Sequence, residues 1–369
     1  MHGRGGGARC RMDPLTAVAV SMLPVSRVKA AALFKELWQT RDPRPIDRIL
    51  ELSGVAAASA DGARIKVTAL ESATRALENG IAVGAEPVPL GDPRYPGLLA
   101  CIPDPPPVLW LRGDPACLER PAVAVIGSRA ATHYALQIGR RLAAELADRG
   151  IVVVSGLARG VDSAAHEGCL AGGGATIAVI GSGLDHIYPT EHQGLARRIV
   201  DKGLLISELG PGAKPLPEHF PLRNRIISGI SLAVVVVEAS ENSGSLITAA
   251  CALRQGRDVM AVHGSVLTGR NRGSHALLKD GAKVVETADD ILEDLGWTVS
   301  GPSRRGPQKP LTSDPLLAAM DVGEVYRLDD LVAATGTPAA KLLPRLMQLE
   351  LLGYIEAPGG GRFVRPPLR

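Results

Sequence analysis

From Ala122 onward the chain repeats one pattern: a short unbroken apolar run, then a longer stretch with apolar positions every three or four residues. The runs are AVAVI (122–126), IVVVS (151–155), TIAVI (176–180), LLIS (204–207), LAVVVVEA (232–239), DVMAV (258–262) and KVVE (283–286). A strand with one face in water alternates apolar and polar positions, whereas an unbroken run marks a strand buried on both faces of a parallel sheet. Between the first two runs, Ala135, Ile138, Leu142 and Leu146 follow at spacings of three, four and four, the stripe of a helix lying on such a sheet. Strands and helices alternating in this way predict a doubly wound α/β domain over 115–295.

The flanks read differently. Residues 14–83 predict short helices in a small basic domain, since Arg27, Lys29, Lys35, Arg41, Arg44 and Arg48 outnumber Glu36, Asp42 and Asp47 in its first half. In the segment 84–114 the prolines exclude long helices and favour extended backbone, which predicts a connector. GPSRRGPQKP (301–310) has the composition of a linker, placed over 296–311. Beyond it, LLAAM (316–320), LDDLVAATG (328–336) and AAKLLPRLMQLELLG (339–353) predict three helices, and YIEAPGGGRFVR (354–365) a hairpin. That order is a winged helix over 312–369. Residues 1–13 read as a disordered tail. Arg4, Arg9 and Arg11 ahead of the apolar stretch 15–23 imitate a signal peptide, but Pro24 and the lack of a small-residue cleavage pattern oppose that reading.

Composition narrows the picture. Apolar residues are 46% of the chain but aromatics only 3%, so the core is aliphatic. With 42 Gly and 28 Pro the chain is rich in loops, yet it lacks the periodicity of collagen. A net charge of +3 gives no global basic field, so any polyanion must be held by local clusters. Cys10, Cys101, Cys117, Cys169 and Cys251 are scattered with no CxxC pair, which argues against a disulfide framework or zinc site and suits a reducing cytoplasm. The longest apolar stretch, around 232–237, is far below the ~20 residues that span a bilayer, so no membrane helix is expected.

In a parallel sheet, ligands gather at the carboxyl ends of the strands. The first run ends in Gly127, Ser128 and Arg129, which offer close backbone approach, oxyanion donors and a cation; alone, a tight turn with a solvent-facing Arg reads equally well. The second ends in SGLARGVDSAAH (155–166), where Gly156 and Gly160 loosen the loop, Arg159 can reach a phosphate and Asp162 suits a helix N-cap. His166 reads better as a buried helix histidine than as a ligand partner of Asp162, because no third ligand is apparent. The third ends in GSGLDHIYP (181–189), which begins the dinucleotide fingerprint but puts His186 where its third glycine belongs. With the first run as the fingerprint strand instead, the next ends in Ser155 and Gly156 rather than an acid for the ribose. No GxxxxGK[ST], HExxH or GxSxG motif occurs.

The segment LGPGAKPLPEHFPLRNRIISG (209–229) carries Lys214, Arg223 and Arg225 around Phe220, opposed by Glu218 alone. Cations that track a phosphate backbone beside a ring on which a base can stack are the means of single-stranded nucleic-acid binding. The alternative is a core Phe220 with an exposed RNR helix start. ENSGSLITAA (241–250) then sets Ser243, Gly244 and Ser245 at a helix N-terminus, a further oxyanion cradle, and GSVLTGRNRGSH (264–275) adds Arg270 and Arg272. Only Tyr134, Tyr188 and Phe220 supply rings between Pro121 and Asp290, and all three lie at strand-end motifs.

In that order, GSR, SGLARGVDSAAH, GLDHIYP, SELGPG, FPLRNRIISG and VVVVEASENSGSLITAA resemble the bacterial DNA-processing protein A (DprA/Smf) family, the likeness extending over essentially the whole chain. The resemblance implies an extended Rossmann-like domain, preceded by a sterile-alpha-motif-like helical domain and followed by a winged helix. It also implies a homodimer that binds single-stranded DNA and loads the recombinase RecA during natural transformation, without catalytic turnover, cofactor or metal. Carried over, Arg129 would contact phosphates, Lys214 and the triplet Arg223, Asn224 and Arg225 would line the pocket, Phe220 would stack on a base, and Ser243 to Ser245 would complete the cradle. Gly127, Ser128, Gly156 and Arg159 join this set from the strand-end loops.

Ala135, His263 and His275 depart from the family pattern without removing a proposed DNA ligand. LPVSRVKAAAL (23–33) resembles a helix-hairpin-helix whose glycine pattern Val25 and Ser26 interrupt. Pro344 lies inside the expected recognition helix, where it costs ~3 kcal/mol or kinks the helix, and Lys341 alone serves its first turn. A base reader needs more side chains than that, which favours protein contact for this domain. The resulting expectation is a cytoplasmic, non-enzymatic single-stranded DNA-binding mediator with no membrane association. Its rivals are a nucleoside-monophosphate hydrolase, whose PGGxGT signature is not found, and a winged-helix regulator with a ligand-sensing α/β domain.

Overall fold

The computed structural model describes residues 13–40, 42, 44–297 and 314–366. The expected tail and the expected linker lie almost wholly outside them. Burial on both faces organises the centre of the molecule. Alternate residues of the strand Ala122–Ile126 enter opposite cores: Ala124 and Ile126 join the core that contains Leu157 and Ile206, while Val123 and Val125 join the one built on Leu142 and Leu146. An unbroken apolar run is the sequence image of that two-sided burial.

The strands are β1 (Glu86–Pro89), β2 (Val108–Gly113), β3 (Ala122–Ile126), β4 (Val152–Ser155), β5 (Thr176–Val179), β6 (Leu204–Ser207), β7 (Ala233–Val236), β8 (Asp258–Ala261) and β9 (Lys283–Val284). They form one sheet in the order β1-β2-β6-β5-β4-β3-β7-β8-β9. All seven expected runs are present and pair in parallel. The chain winds outward from β3 through β4, β5 and β6 and then returns to β7 on the other side of β3. The β3/β7 junction is therefore the switch point of a Rossmann-like sheet, where a crevice opens at the carboxyl ends.

The Pro-rich segment departs from expectation. Instead of connecting two domains, it supplies β2, which pairs antiparallel with β6, and β1, which pairs antiparallel with β2 at the sheet edge. Pro87 and Pro89 are tolerated because β1 is the edge strand, where a missing N–H breaks no ladder. The residues 14–83 likewise do not stand apart. The helices Pro14–Ser21 and Ala60–Val83 pack onto β1 and β2, and their buried residues share one core with the sheet. A stripe of small residues makes the close approach possible: Ala69, Ala73, Ala76 and Gly80 face inward. A Cβ on Gly80 would stand 2.8 Å from Cζ3 of the Trp110 indole. Ser59 opens the longer helix by accepting the Gly62 N–H at 3.1 Å, and Gly84, with φ of +68°, closes it.

The C-terminal unit is the expected winged helix. The helices Pro315–Ala318, Leu328–Thr335 and Ala339–Leu351 precede or flank a three-stranded sheet of β10 (Val325–Arg327), β11 (Glu356–Gly359) and β12 (Arg362–Val364), ordered β10-β12-β11. Leu331, Leu342, Leu346 and Leu349 form its core. Pro344 stays within the third helix because the lost bond lies on the solvent side, where both Pro344 and Ala340 are exposed. No helix of the described residues is long and apolar enough to cross a membrane, and none of their His, Cys, Asp and Glu clusters could hold a metal ion.

Trp110 is only 1% exposed and joins the helical region to the sheet. Trp110→Ala is expected to lower the unfolding free energy by about 3–5 kcal/mol in chemical denaturation. An unchanged midpoint would show that the two regions hold together without it.

Candidate nucleic-acid interface

Four loops meet at the carboxyl edge of the sheet. The helix His219–Gly229, which follows β6, brings Phe220 over the loop after β5, where Gly181 leaves room for the ring; a Cβ there would stand 3.1 Å from Phe220 Cδ1. From the loop after β3, the Arg129 guanidinium reaches over the same ring, 5.5 Å from its centroid. Tyr188 stands on another side, its ring centroid 5.5 Å from that of Phe220 and inclined by 45°. Arg129 and Lys214 are exposed, and neither has a carboxylate or carbonyl partner among the described residues. Arg159 is exposed as well, but its Nε meets Glu191 Oε1 at 2.5 Å. One unpaired guanidinium and a pair of rings thus share one patch, and Lys214 stands exposed on the loop that leads into the helix carrying Phe220.

Beneath the patch lies a polar framework. Arg223 is buried, donating from Nη1 to the Gly156 carbonyl at 2.6 Å and to the Val179 carbonyl. Asp162 receives the N–H groups of Gly156 and Ala158 at 3.1 and 3.4 Å. Burial pulls the Arg223 pKa down to about 10 against the attraction of Asp162, and the Arg129 charge adds to the depression. Arg225 is also buried, with Nε on Asp104 at 2.9 Å and Nη2 on Glu208 at 2.6 Å. Its burial works against the charge, but Glu208 and Asp104 outweigh it and hold the guanidinium above its ordinary pKa.

These contacts correct three expected DNA ligands. Gly156, Arg223 and Arg225 belong to the framework: Gly156 gives its N–H to Asp162 and its carbonyl to Arg223 Nη1, and Arg225 gives Nε and Nη2 to Asp104 and Glu208, while Arg223 Nε and Arg225 Nη1 are buried without a partner among the described residues. The RNR triplet resembles an exposed helix start, yet every residue from Arg223 to Gly229 is buried. Two signals were available: the run Ile226, Ile227 and Gly229 directly after it, and the acids Asp104 and Glu208 elsewhere in the chain. Asn224 is turned to its neighbour helix, Nδ2 donating to the Gly244 carbonyl at 3.3 Å. The Ser243–Ser245 cradle is largely occupied by itself: Ser243 caps the helix Gly244–Arg254, accepting from the Ser245 N–H at 3.4 Å and meeting Ser245 Oγ at 2.6 Å.

The GSR turn divides in the same way. A Cβ on Gly127 would fall 2.6 Å from Val161 Cγ2, and the Ser128 N–H donates to the Glu238 carbonyl at 2.7 Å, so of the three Arg129 is the exposed one. Sequence reasoning missed Glu238. This carboxylate is 1% exposed and sits at the N-terminus of the helix His133–Asp148, receiving the Thr132 N–H at 3.2 and 3.3 Å and its hydroxyl at 2.6 Å. In a dinucleotide enzyme that helix end receives the pyrophosphate. Here the protein's own carboxylate engages the N-cap residue at that end, and Thr132 Oγ1 accepts the Ala135 N–H at 3.2 Å. Tyr188 was the other omission, although its ring belongs to one of only three strand-end aromatics in the domain.

Asp162 is not the N-cap of its helix. Gly160, with φ of +80°, holds that position, and Asp162 lies in the first turn. His166 is the buried helix histidine of the two alternatives. Thr176 Oγ1 donates to the Val153 carbonyl at 2.7 Å and so accepts from His166 Nδ1–H, also at 2.7 Å. Burial, then His192 and Arg223, push the His166 pKa down to about 3.

A Rossmann-like sheet bearing a cationic aromatic patch at its carboxyl edge, together with a winged helix, defines a nucleic-acid-handling class of α/β protein. The chain belongs to the DNA recombination-mediator protein A family, whose model matches residues 86–296, and the DprA winged helix domain matches residues 300–361. The resemblance read from the six motifs is thereby borne out. Protein Smf of Escherichia coli (strain K12) is 39% identical over 283 residues, covering 74% of this chain and 76% of that protein. The DNA processing protein DprA of Streptococcus pneumoniae is 45% identical over 204 residues, covering 55% and 72%. The X-ray structure of DNA processing protein A from Streptococcus pneumoniae superposes with a TM-score of 0.68 at 33% identity, over 77% of this chain and 98% of that one. A structure of the Helicobacter pylori protein, described for its single-stranded DNA binding mode, gives a TM-score of 0.52 at 31% identity, over 57% and 95%.

Two predictions separate framework from patch. Arg225→Ala strands two partly buried carboxylates and is expected to cost roughly 3 kcal/mol in chemical denaturation, whereas Arg129→Ala is expected to stay within about 0.5 kcal/mol. His166, with a folded pKa near 3 against about 6.5 when unfolded, withdraws stability as pH falls below about 6.5, by up to about 1.4 kcal/mol per pH unit. Denaturation at pH 7 and pH 5 is therefore expected to show a smaller acid loss in His166→Asn than in the wild type.

Proposed function

We propose that the patch of Arg129, Phe220, Tyr188 and Lys214 binds single-stranded DNA, and that the protein, acting in the cytoplasm as a homodimer, delivers this strand to the recombinase RecA in the uptake of transforming DNA. One observation carries the reading: an unpaired guanidinium rests on the face of an accessible ring, with a second unpaired cation on the adjoining loop. A cation over a ring in water is held by only ~0.5–1 kcal/mol. A phosphate can draw Arg129 away while a base takes its place on Phe220, so the contact surrendered is weak and the two gained are stronger. Binding of this kind reads backbone and ring rather than base identity, and so is largely independent of sequence.

The family description as a recombination mediator supports the downstream step, and the single-stranded DNA binding mode described for the Helicobacter pylori relative supports the ligand. We read the site as one that binds without turnover, since its most perturbed groups, Asp162, His166 and Arg223, are all spent inside the framework.

Mobility shift with oligo-dT and a duplex of equal length tests the proposal. Oligo-dT is expected to bind more tightly; Phe220→Ala is expected to weaken it by about 1–3 kcal/mol. Arg129→Ala is expected to lower the slope of log K against log salt by about 0.7. Equal affinity for the duplex, or wild-type behaviour of both variants, would overturn it. The regulator alternative is tested by cleavage near Arg305: DNA affinity that leaves with the winged helix would favour it.

A further inference from the structure

Just before Lys214 in the chain, the loop of Glu208 to Ala213 borders a cavity of about 410 Å³ whose opposite wall belongs to the helical region. That wall presents Ser72, Arg75 and Asn79 from the helix Ala60–Val83, with Met22 beside them. The volume lies within the usual range for small-molecule sites and accommodates a nucleotide. The loop is firmly held: Gly212 N–H donates to both oxygens of Asp185 at 2.9 Å, and Gly183 N–H to the Ala213 carbonyl at 2.8 Å. A cavity with a wall so fixed is a permanent feature of the surface rather than a gap left by a wandering loop.

Its charge is one-sided. The single carboxylate in the lining, Glu208, is neutralised by Arg225 at 2.6 Å. Arg75 is exposed and has no carboxylate or carbonyl partner among the described residues, and the Asn79 amide makes no hydrogen bond there either. Lys214, the next residue after the loop, is also without a charged partner among the described residues. Along the chain Lys214 lies between the cavity loop and the helix of Phe220, and the cavity itself combines one guanidinium, an amide and an apolar surface on Met22. Those are the requirements of a nucleotide unit: phosphate, base edge and base face.

We propose that this cavity is a second subsite for the same single strand, taking nucleotides beyond the one stacked on Phe220, with Arg75 on a phosphate and Asn79 on a base edge. The inference rests on the single-stranded DNA reading of the Phe220 patch. It gives the helical region a direct part in DNA binding and makes affinity depend on strand length in a way the patch alone does not.

The test is a length series of fluorescent oligo-dT, from about 5 to about 20 nucleotides, titrated by anisotropy against the full chain. For Arg75→Ala the affinity for the shortest bound oligomer is expected to stay within about twofold of wild type. For the longest it is expected to fall by about tenfold, with the salt slope reduced by about 0.7 for the long strand only. Ser72→Trp, which fills the cavity without changing its charge, is expected to remove the same gain with length. Wild-type behaviour of Arg75→Ala at every length overturns the subsite, as does an equal loss at all lengths. A Ser72→Trp protein of wild-type thermal stability that keeps the full gain overturns it too. Phe220→Ala is read separately on the shortest oligomer: if binding there is unchanged, the patch itself fails, while the gain with length still reports on Arg75.

Discussion

Arg223 carries a charge into the interior and spends it on the ends of two strands. Its guanidinium takes the Gly156 and Val179 carbonyls, which lie just beyond β4 and at the end of β5, while Asp162 gathers the Gly156 and Ala158 N–H groups from the opposite side. A buried cation is tolerated only where acceptors surround it, and a buried carboxylate only where donors do. The two therefore fix the loops that must end in the right place for Arg129, Phe220 and Tyr188 to meet. Arg225 repeats the device two residues further along, tying the same helix to Asp104 and Glu208.

This arrangement separates two kinds of basic residue that look alike in a sequence. Arginines held by several acceptors build the floor, and cations without partners remain on the surface to meet an external anion. Counting cations in a segment cannot distinguish them. What does distinguish them is the company they keep in three dimensions, in particular whether a carboxylate from a distant segment arrives to claim them, as Asp104 claims Arg225 across 121 positions of the chain.

Local patterns were legible where the physics is local. Two-sided burial writes itself as an unbroken apolar run, and AVAVI coincides with β3 residue for residue. The winged helix was likewise visible in the spacing of Leu342, Leu346 and Leu349 and in the glycines of its hairpin. Illegible were the features that depend on a distant partner. The stripe Ala69, Ala73, Ala76 and Gly80 looks like a weakly apolar helix until Trp110 is laid against it, and the prolines of 84–114 look like a connector until β6 offers them a sheet edge. Phe220 was found by its rarity. Its contact with Tyr188 needed the fold, because 32 residues separate the two rings.

The carboxylate of Glu238 gives the site a rule of valency. A helix end offers an incoming phosphate its unpaired N–H groups and the positive pole of its dipole, and in many α/β proteins one phosphate is held there strongly enough to define the ligand. With the N-cap of that helix engaged from within, the binding proposed above is assembled from several weak anchors spread along the surface. A polymer meets that condition by presenting its next phosphate at high effective concentration once the first is engaged, whereas a free nucleotide cannot. On the proposed reading, a carboxylate of its own at that helix end is a means by which a fold well known for holding nucleotides favours the chain over the link.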